Sequence, residues 1–431
     1  MLIIYSISVE IVIMSEKSNT LLSIITLSLI YALSCIFKMS SNVVMPIFQE
    51  RFMLSSTFLG VITGSYYYLY APMQLFAGPL CHRWNTHRVV GTFLIASAVG
   101  SLLTAVATNG YMVGIGRTLI GLGVGPIYIS TIYYVFEKTS SKVYPIAIGA
   151  VMMIGNLGSA LSSGPLKKII DVQGTASTFY GITVLLLLGS VVLFILDALD
   201  KNKIVKKSEK ERVLKNLKDA IIEMVHSPLL ILGAFMWLMF NSFQLTYQGL
   251  WSSKWFVASY PNLPSSIAPW GATIASIGLA ISTLITEPLR VKKHPVWMST
   301  IISEFLFVLM GFMIVLTHNL GVIGLKSTTL IIVILLVCDY LLGHVMGAVC
   351  LMLTSLTSIR AKKEHNATIM GIMNGCGSIS CLFFQFLTGR MYDALSPRMS
   401  ANASYTIIFT MMSTIVLVVA IGASITQKKG R

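Results

Sequence analysis

The chain has 431 residues, of which 11% are charged and 55% hydrophobic, with a net charge of +15 and a mean hydropathy of +0.79. A soluble protein carries about a quarter charged residues, so this composition indicates an integral membrane protein and argues against a soluble nucleic-acid-binding domain. The six cysteines show no paired spacing, which predicts neither disulfides nor a metal site.

Long apolar windows follow a short N-terminal segment. Residues 1–13 are too short and wrongly flanked for a signal peptide, and Met14 is the more natural start. A helix needs roughly 20 apolar residues to cross a bilayer, and the chain offers about twelve such windows. They lie near 20–46, 54–80, 88–108, 111–136, 143–166, 175–197, 229–256, 265–289, 296–317, 328–357, 366–389 and 402–425. We therefore expect an all-α membrane protein with twelve transmembrane helices.

A hydrophilic stretch at 197–227 divides six windows from six. Its apolar residues recur at helical spacing beneath a basic face, which predicts an amphipathic helix on the membrane surface; a plain linker is favoured over a regulatory site. Lysine and arginine are concentrated in the segments on this side, so both termini are expected in the cytoplasm. The expected domains are an N-terminal segment 1–19, bundles 20–198 and 229–425, a linker 199–228 and a tail 426–431.

A nine-residue pattern occurs in both halves. R-T-L-I-G-L-G-V-G at 117–125 returns as D-Y-L-L-G-H-V-M-G at 339–347, with Gly121 and Gly125 matching Gly343 and Gly347. The same offset relates Asp171 to Asp393. The pattern predicts two related membrane halves with opposite charges at equivalent places, an architecture typical of solute carriers.

The segment G-P-L-C-H-R-W-N-T-H-R at 78–88 resembles the loop signature G-x-x-x-D-R-x-G-R-R of the major facilitator superfamily. Gly78, Arg83 and Arg88 stand at gating-motif positions, whereas His82 replaces the acid. Residues 117–125 are similar to the family pattern R-x-x-x-G-x-G. The resemblance implies two six-helix bundles, with spans 1, 4, 7 and 10 lining a central cavity that opens alternately to each side. The fifth span departs from the glycine-proline pattern of the family's drug exporters, which argues against drug export.

Three ionisable residues lie within predicted spans. Lys38, Arg117 and Asp339 would each cost about 2.5–3.5 kcal/mol at mid-bilayer, so they should face the bundle interior. Cations on one wall and an acid on the other would suit a zwitterion or an anion. The alternative for Arg117 and Asp339 is a structural ion pair between the halves.

Polar side chains at helical spacing complete the candidate binding site. Interhelical hydrogen bonding is the alternative for the stripe in the seventh span, and an interfacial aromatic belt is the alternative for the tyrosines of the second. The candidate substrate-binding residues are Tyr31, Lys38, Tyr67, Tyr70, Gln74, Arg117, Asn241, Gln244, Gln248, Trp251, Asp339, His344 and Asn374.

Asp339 and His344 are the candidates for proton coupling, unless Arg117 keeps Asp339 permanently ionised. The sequence carries no nucleotide-binding loop, metal cluster or catalytic triad, so no cofactor is expected and a gradient should drive transport. We expect a monomeric proton symporter of a small zwitterionic or anionic metabolite, amino acids first, in a bacterial inner membrane. A proton-coupled exporter is the alternative, and a membrane receptor or embedded enzyme is a further class.

Overall fold

A computed structural model describes residues 2–140, 143–200, 210–290, 296–362 and 365–429. The first half of the chain folds into helices only, consistent with its apolar windows. They are Leu2–Met39 (α1), Ser41–Arg51 (α2), Ser56–Gly64 (α3), Tyr66–Trp84 (α4), Thr86–Ala105 (α5), Gly110–Val124 (α6), Ile127–Lys138 (α7), Tyr144–Leu161 (α8), Gly164–Gln173 (α9) and Thr175–Leu199 (α10).

The described part of the second half is also helical. A π-helical turn at Tyr247–Trp251 interrupts its first long span, and a short 3-10 turn at Ser265–Ile267 precedes the next one. The α-helices are Lys210–His226 (α11), Pro228–Thr246 (α12), Ser252–Ser259 (α13), Ala268–Arg290 (α14), Val296–Thr317 (α15), Leu320–Ile323 (α16), Thr328–Arg360 (α17), Asn366–Leu395 (α18) and Ala401–Lys429 (α19).

The predicted all-α membrane architecture is confirmed. Within the described ranges, ten helical segments are long and apolar enough to cross a membrane, and a pair bent by 46° in α8 and α9 makes an eleventh. The remaining predicted span, 54–80, forms α3 and α4, where tyrosines and two prolines replace much of the aliphatic content. The spans are therefore α1–α2, α3–α4, α5, α6–α7, α8–α9, α10, α12–α13, α14, α15, α17, α18 and α19, numbered 1 to 12.

The spans pack in two groups, and equivalent spans make equivalent contacts in each group. Span 4 packs on span 2 and span 5 on span 1, while span 10 packs on span 8 and span 11 on span 7. The two bundles meet mainly where span 2 contacts span 11 and where span 5 contacts span 8. The bundles thus face each other along two seams, with spans 1, 4, 7 and 10 between those seams.

The linker helix α11 rests on the start of spans 7 and 11. Ala220 is fully buried in a small apolar cluster with Leu230, Ile369 and Met373. Glu223 accepts a hydrogen bond from the Lys362 backbone N–H at 2.7 Å and contacts His365. Burial opposes ionisation of Glu223, but these hydrogen bonds outweigh it and lower the pKa of its carboxyl below the ordinary value. The linker is thereby anchored to the C-terminal bundle.

Candidate functional site

Lys38 lies near the end of α1, where the two bundles face each other. Its ammonium is within electrostatic range of the thiols of Cys350 in span 10 and Cys381 in span 11. Among the ion pairs formed by described residues, none involves Lys38. A cation at this depth is costly without an anion or water beside it. Lys38 is therefore a charge without a protein counter-ion in the described ranges, and it sits between the bundles.

Tyrosines from three spans of the N-terminal bundle surround this point. The rings of Tyr31 and Tyr128 are 5.1 Å apart, and both phenols interact electrostatically with Cys35 on the same side as Lys38. Tyr70 interacts electrostatically with the same two tyrosines. Tyr128 was not predicted. It lies seven residues, or about two helical turns, after Gly121 of the repeated glycine pattern. The cluster places Tyr70, Tyr128 and the Lys38 ammonium near cysteines of the second bundle.

Gln74 and Asn374 bridge the bundles beside this cluster. The Asn374 amide donates to Gln74 Oε1 at 3.3 Å, and Gln74 Nε2 donates to the Gly125 carbonyl at 2.6 Å. Both residues were predicted site residues, and the structure places them together across the seam between spans 2 and 11. The pair therefore links the bundles beside the tyrosine cluster, with Gln74 hydrogen-bonded at both its amide oxygen and its amide nitrogen.

Arg117 is held inside the N-terminal bundle. Its Nη2 donates to the Thr63 carbonyl at 3.3 Å, and its guanidinium lies over the Tyr66 ring at 5.3 Å. Its Nε is buried without a hydrogen-bond partner among the described residues. The predicted site residue Tyr67 lies beside it, in electrostatic contact with both Arg117 and Cys381. Arg117 therefore sits behind a layer of tyrosines, set back from the space between the bundles.

Asp339 is buried inside the C-terminal bundle instead. Its Oδ1 accepts a hydrogen bond from the Tyr247 hydroxyl at 2.9 Å. No ion pair with Arg117 is present among the described residues, so the structural ion pair considered above does not form there. His344 stacks on Tyr340 at 5.9 Å, and its Nδ1 is buried without a hydrogen-bond partner in the described ranges.

The predicted polar side chains of span 7 do not all share one helix face, because a π-helical turn interrupts the span. Asn241 bonds its own helix at the Trp237 carbonyl, and the Gln244 amide donates to Gln248 Oε1 at 3.1 Å. The π-helical turn holds one extra residue, so the side chains after it point in a different direction from those before it. Gln248 accordingly donates to span 8 at the Ala272 carbonyl and the Ser276 hydroxyl, whereas Trp251 donates to Thr388 of span 11. These residues connect spans of the C-terminal bundle.

The predicted gating motif lies at the end of α4 and the start of α5. Arg88 forms an ion pair with Asp197 of span 6 at 3.1 Å, and Asn85 donates to the same carboxylate at 2.7 Å. Arg83 lies over the Trp84 ring, and the space around Gly78 is open. The side chain of His82 lies outside the described residues. The motif thus binds spans 2 and 3 to span 6 within one bundle.

The comparisons with known proteins agree with this architecture. The model of the Major Facilitator Superfamily matches residues 27–385. The chain belongs to this superfamily. A bacterial homologue of the human lysosomal transporter Spinster, solved inward-facing and unoccupied, has a TM-score of 0.70 at 14% identity, covering 95% of this chain and 96% of its own. The nucleoside transporter NupG, solved as a point mutant, has a TM-score of 0.70 at 12% identity, covering 93% of this chain and 98% of its own.

One similar protein has a name that states its substrate. The probable sulfoacetate transporter SauU of Cupriavidus necator is 22% identical over 193 residues, which cover 43% of this chain and 44% of that protein. The match therefore spans less than half of either sequence. The protein is a multi-pass membrane protein of the Major Facilitator Superfamily.

In this facilitator chain the bundles are sealed on the side opposite to the linker helix, here called the loop side. Asp393 at the end of span 11 accepts hydrogen bonds from the Ser56 N–H at 3.0 Å, the Thr57 N–H at 2.7 Å and the Thr57 hydroxyl at 2.6 Å. Asn42 of span 1 accepts from Ser252 and Ser253 of span 7. Asp393 belongs to the sequence repeat, but its bonding across the bundles was not predicted because it depends on tertiary contact.

Proposed function

We propose that this protein is a secondary active carrier that imports a small organic anion, or a zwitterion with an anionic head group such as an amino acid, together with protons. The observation that supports the proposal is Lys38, an ammonium between the bundles with no acidic partner among the described residues. The phenols of Tyr31, Tyr70 and Tyr128 and the amides of Gln74 and Asn374 would orient the carboxylate or sulfonate. The partial likeness to a probable sulfoacetate transporter supports the same substrate class.

The seal on the loop side supports alternating access. With the linker side taken as cytoplasmic, as the charge distribution favours, this arrangement is closed to the exterior. Release of the Asp393 and Asn42 contacts would open the opposite side while the anion site stays fixed, as rocking of two bundles requires. Asp339 and His344 remain the proposed proton carriers, in a bacterial inner membrane with both termini in the cytoplasm.

Uptake into proteoliposomes tests the substrate class. Purified protein is given radiolabelled sulfoacetate, small carboxylates, amino acids and uncharged analogues under an inward proton gradient. We expect accumulation of an anion or amino acid and none of the uncharged analogues. Efflux under the same gradient would favour the exporter alternative, and covalent change of a solute would favour an enzyme. Transport restricted to uncharged solutes would contradict the proposal.

A Lys38→Ala variant tests the site. A charged hydrogen bond contributes about 1.5–3 kcal/mol, so loss of the ammonium should lower apparent substrate affinity at least about tenfold. Lys38→Arg should retain part of that affinity because the charge remains. Lys326→Ala, which removes an equal charge from a loop position, is the matched control and should transport normally. Unchanged affinity in well-folded Lys38→Ala would remove Lys38 from the site.

A further inference from the structure

A small cavity lies inside the C-terminal bundle, separate from the Lys38 cluster. Its volume is about 10 Å³, and spans 7, 8, 9 and 10 enclose it. A space of this size holds about one water molecule. Its polar lining includes Asp339, Tyr247 and His318, and aliphatic and aromatic side chains form most of the remainder. The cavity is therefore a small, mostly apolar chamber with a carboxyl, a phenol and an imidazole on its wall.

One carboxyl oxygen of Asp339 is hydrogen-bonded, and the other lies close to the backbone of Gly271. Oδ1 accepts from Tyr247, while a Cβ placed on Gly271 would lie only 2.3 Å from Oδ2. Glycine at position 271 thus makes room for the carboxyl. The titratable groups around it are Tyr247 of span 7, His318 beyond span 9 and the neighbouring Cys338. No basic side chain forms an ion pair with Asp339 among the described residues, so a proton is the counter-ion that fits the chamber.

His318 is placed to exchange that proton. Its ring is buried, stacks on Trp255 with a centroid distance of 4.1 Å and pairs Nδ1 with the Ile314 carbonyl at 2.9 Å. When Nδ1 donates to that carbonyl, Nε2 is the nitrogen that takes up a proton. His318 directly follows the last residue of α15, at the loop side of the molecule. It thus lines the chamber at the loop-side end of span 9.

The hydrogen bond from Tyr247 connects the chamber to the seam between the bundles. Tyr247 is the first residue of the π-helical turn, and Ser252 directly follows that turn. Ser252 in turn donates to Asn42 of the other bundle. A carboxylate accepts a stronger hydrogen bond than a neutral carboxyl, so protonation of Asp339 weakens the hold on Tyr247. A proton in the chamber can therefore bias a contact that seals the loop side.

We propose that His318 and Asp339 exchange the coupling proton through one water in this chamber, so that the proton site is separate from the anion site at Lys38. In one transfer the Nε2–H bond of the imidazolium breaks as a water O–H bond forms, and another O–H bond of that water breaks as Asp339 gains a proton on Oδ2. One proton moves, imidazolium becomes imidazole and carboxylate becomes carboxylic acid. The role of this pair as the coupling site rests on the proposed function, whereas the proton exchange itself does not.

Infrared difference spectroscopy of the full-length protein in liposomes, titrated with pH in the absence of solute, tests the exchange. We expect a carboxylic-acid band that Asp339→Asn abolishes, that Tyr247→Phe shifts in frequency, and whose pH midpoint moves by about one unit or more in His318→Gln. His226→Gln, which changes a histidine at the end of the linker helix α11, is the control and should leave the midpoint unchanged. Gly271→Ala, which crowds Oδ2, should also displace the band.

The outcomes separate this inference from the proposed function. A band that persists in Asp339→Asn, or a midpoint that is the same in His318→Gln as in the parent, would overturn the proton exchange whatever the protein transports. Failure of every anion and every amino acid in the uptake panel would overturn the proposed function and leave the band assignments standing. Proton-driven uptake that survives intact in Asp339→Asn would reject the coupling role even if the band is assigned correctly.

Discussion

The two bundles share their glycine contacts and differ in their charged contacts. A Cβ on Gly121 would lie 1.9 Å from the Tyr66 carbonyl oxygen of span 2, and one on Gly343 would lie 1.8 Å from the Ala275 carbonyl oxygen of span 8. In both bundles the glycine lets one span pack directly on the backbone of another. The repeated glycines therefore preserve backbone packing, which both halves need equally.

The charged members of the repeat have diverged. Arg117 is held by the Thr63 carbonyl and the Tyr66 ring, whereas Asp339 at the equivalent place is bonded to Tyr247 beside a chamber. Asp171 pairs with Lys167 of its own helix, while its counterpart Asp393 bonds the other bundle. The comparison shows that a symmetric backbone can carry different chemistry in each half. This separation is what the proposed anion site in one bundle and the proposed proton site in the other require.

The largest effect is expected from the shared glycines. Gly121→Ala and Gly343→Ala each force a methyl group against backbone that cannot move aside, so each should destabilise the protein by about 1–3 kcal/mol. Gly371→Ala is the matched control because nothing lies within 4 Å of the added carbon. The measurement is thermal unfolding of the purified protein. Equal melting temperatures for Gly343→Ala and Gly371→Ala would show that the close approach is absent.

A smaller effect is expected from Asp393, the second aspartate of the repeat. Asp393 accepts from the first N–H groups of α3, and loss of a helix cap costs about 1 kcal/mol, so Asp393→Asn should raise the population open to the loop side roughly fivefold. The measurement is labelling of Cys381, as the single retained cysteine, by an impermeant thiol reagent applied to the loop side. Asp171→Asn is the control and should label like the parent. Equal labelling of both variants would contradict a sealing role for Asp393.

The smallest effect is the coupling between Arg117 and Asp339. Since neither contacts the other among described residues, the destabilisation caused by Arg117→Gln and Asp339→Asn should add in the double variant within about 0.5 kcal/mol. Urea or thermal unfolding of the four proteins measures this coupling. An interaction energy well above that value would restore the ion pair that the sequence left open. It would also weaken the contrast between the charged contacts of the two bundles.

Much of the fold could be read from the sequence, because apolar windows, the charged linker and the glycine repeat are local patterns. They predicted the spans, the two halves and the family. The partners of the charged residues could not be read in this way. Arg117 and Asp339 look like a pair along the chain, yet Arg117 contacts the Thr63 carbonyl and the Tyr66 ring while Asp339 bonds Tyr247, and only helix packing brings these groups near. His318 and Tyr128 were missed because the sequence does not show which side chains from distant parts of the chain they face.

Sequence alone determined that this protein crosses the membrane many times as two related bundles, since burial of apolar side chains in lipid and close packing at glycine depend on local composition. Tertiary structure alone decided where each charge resides. Lys38 lies between the bundles, Arg117 lies behind tyrosines, and Asp339 lies in a chamber within one bundle. The physical reason is that the cost of a buried charge depends on the few groups within hydrogen-bond reach, and these come from distant parts of the chain.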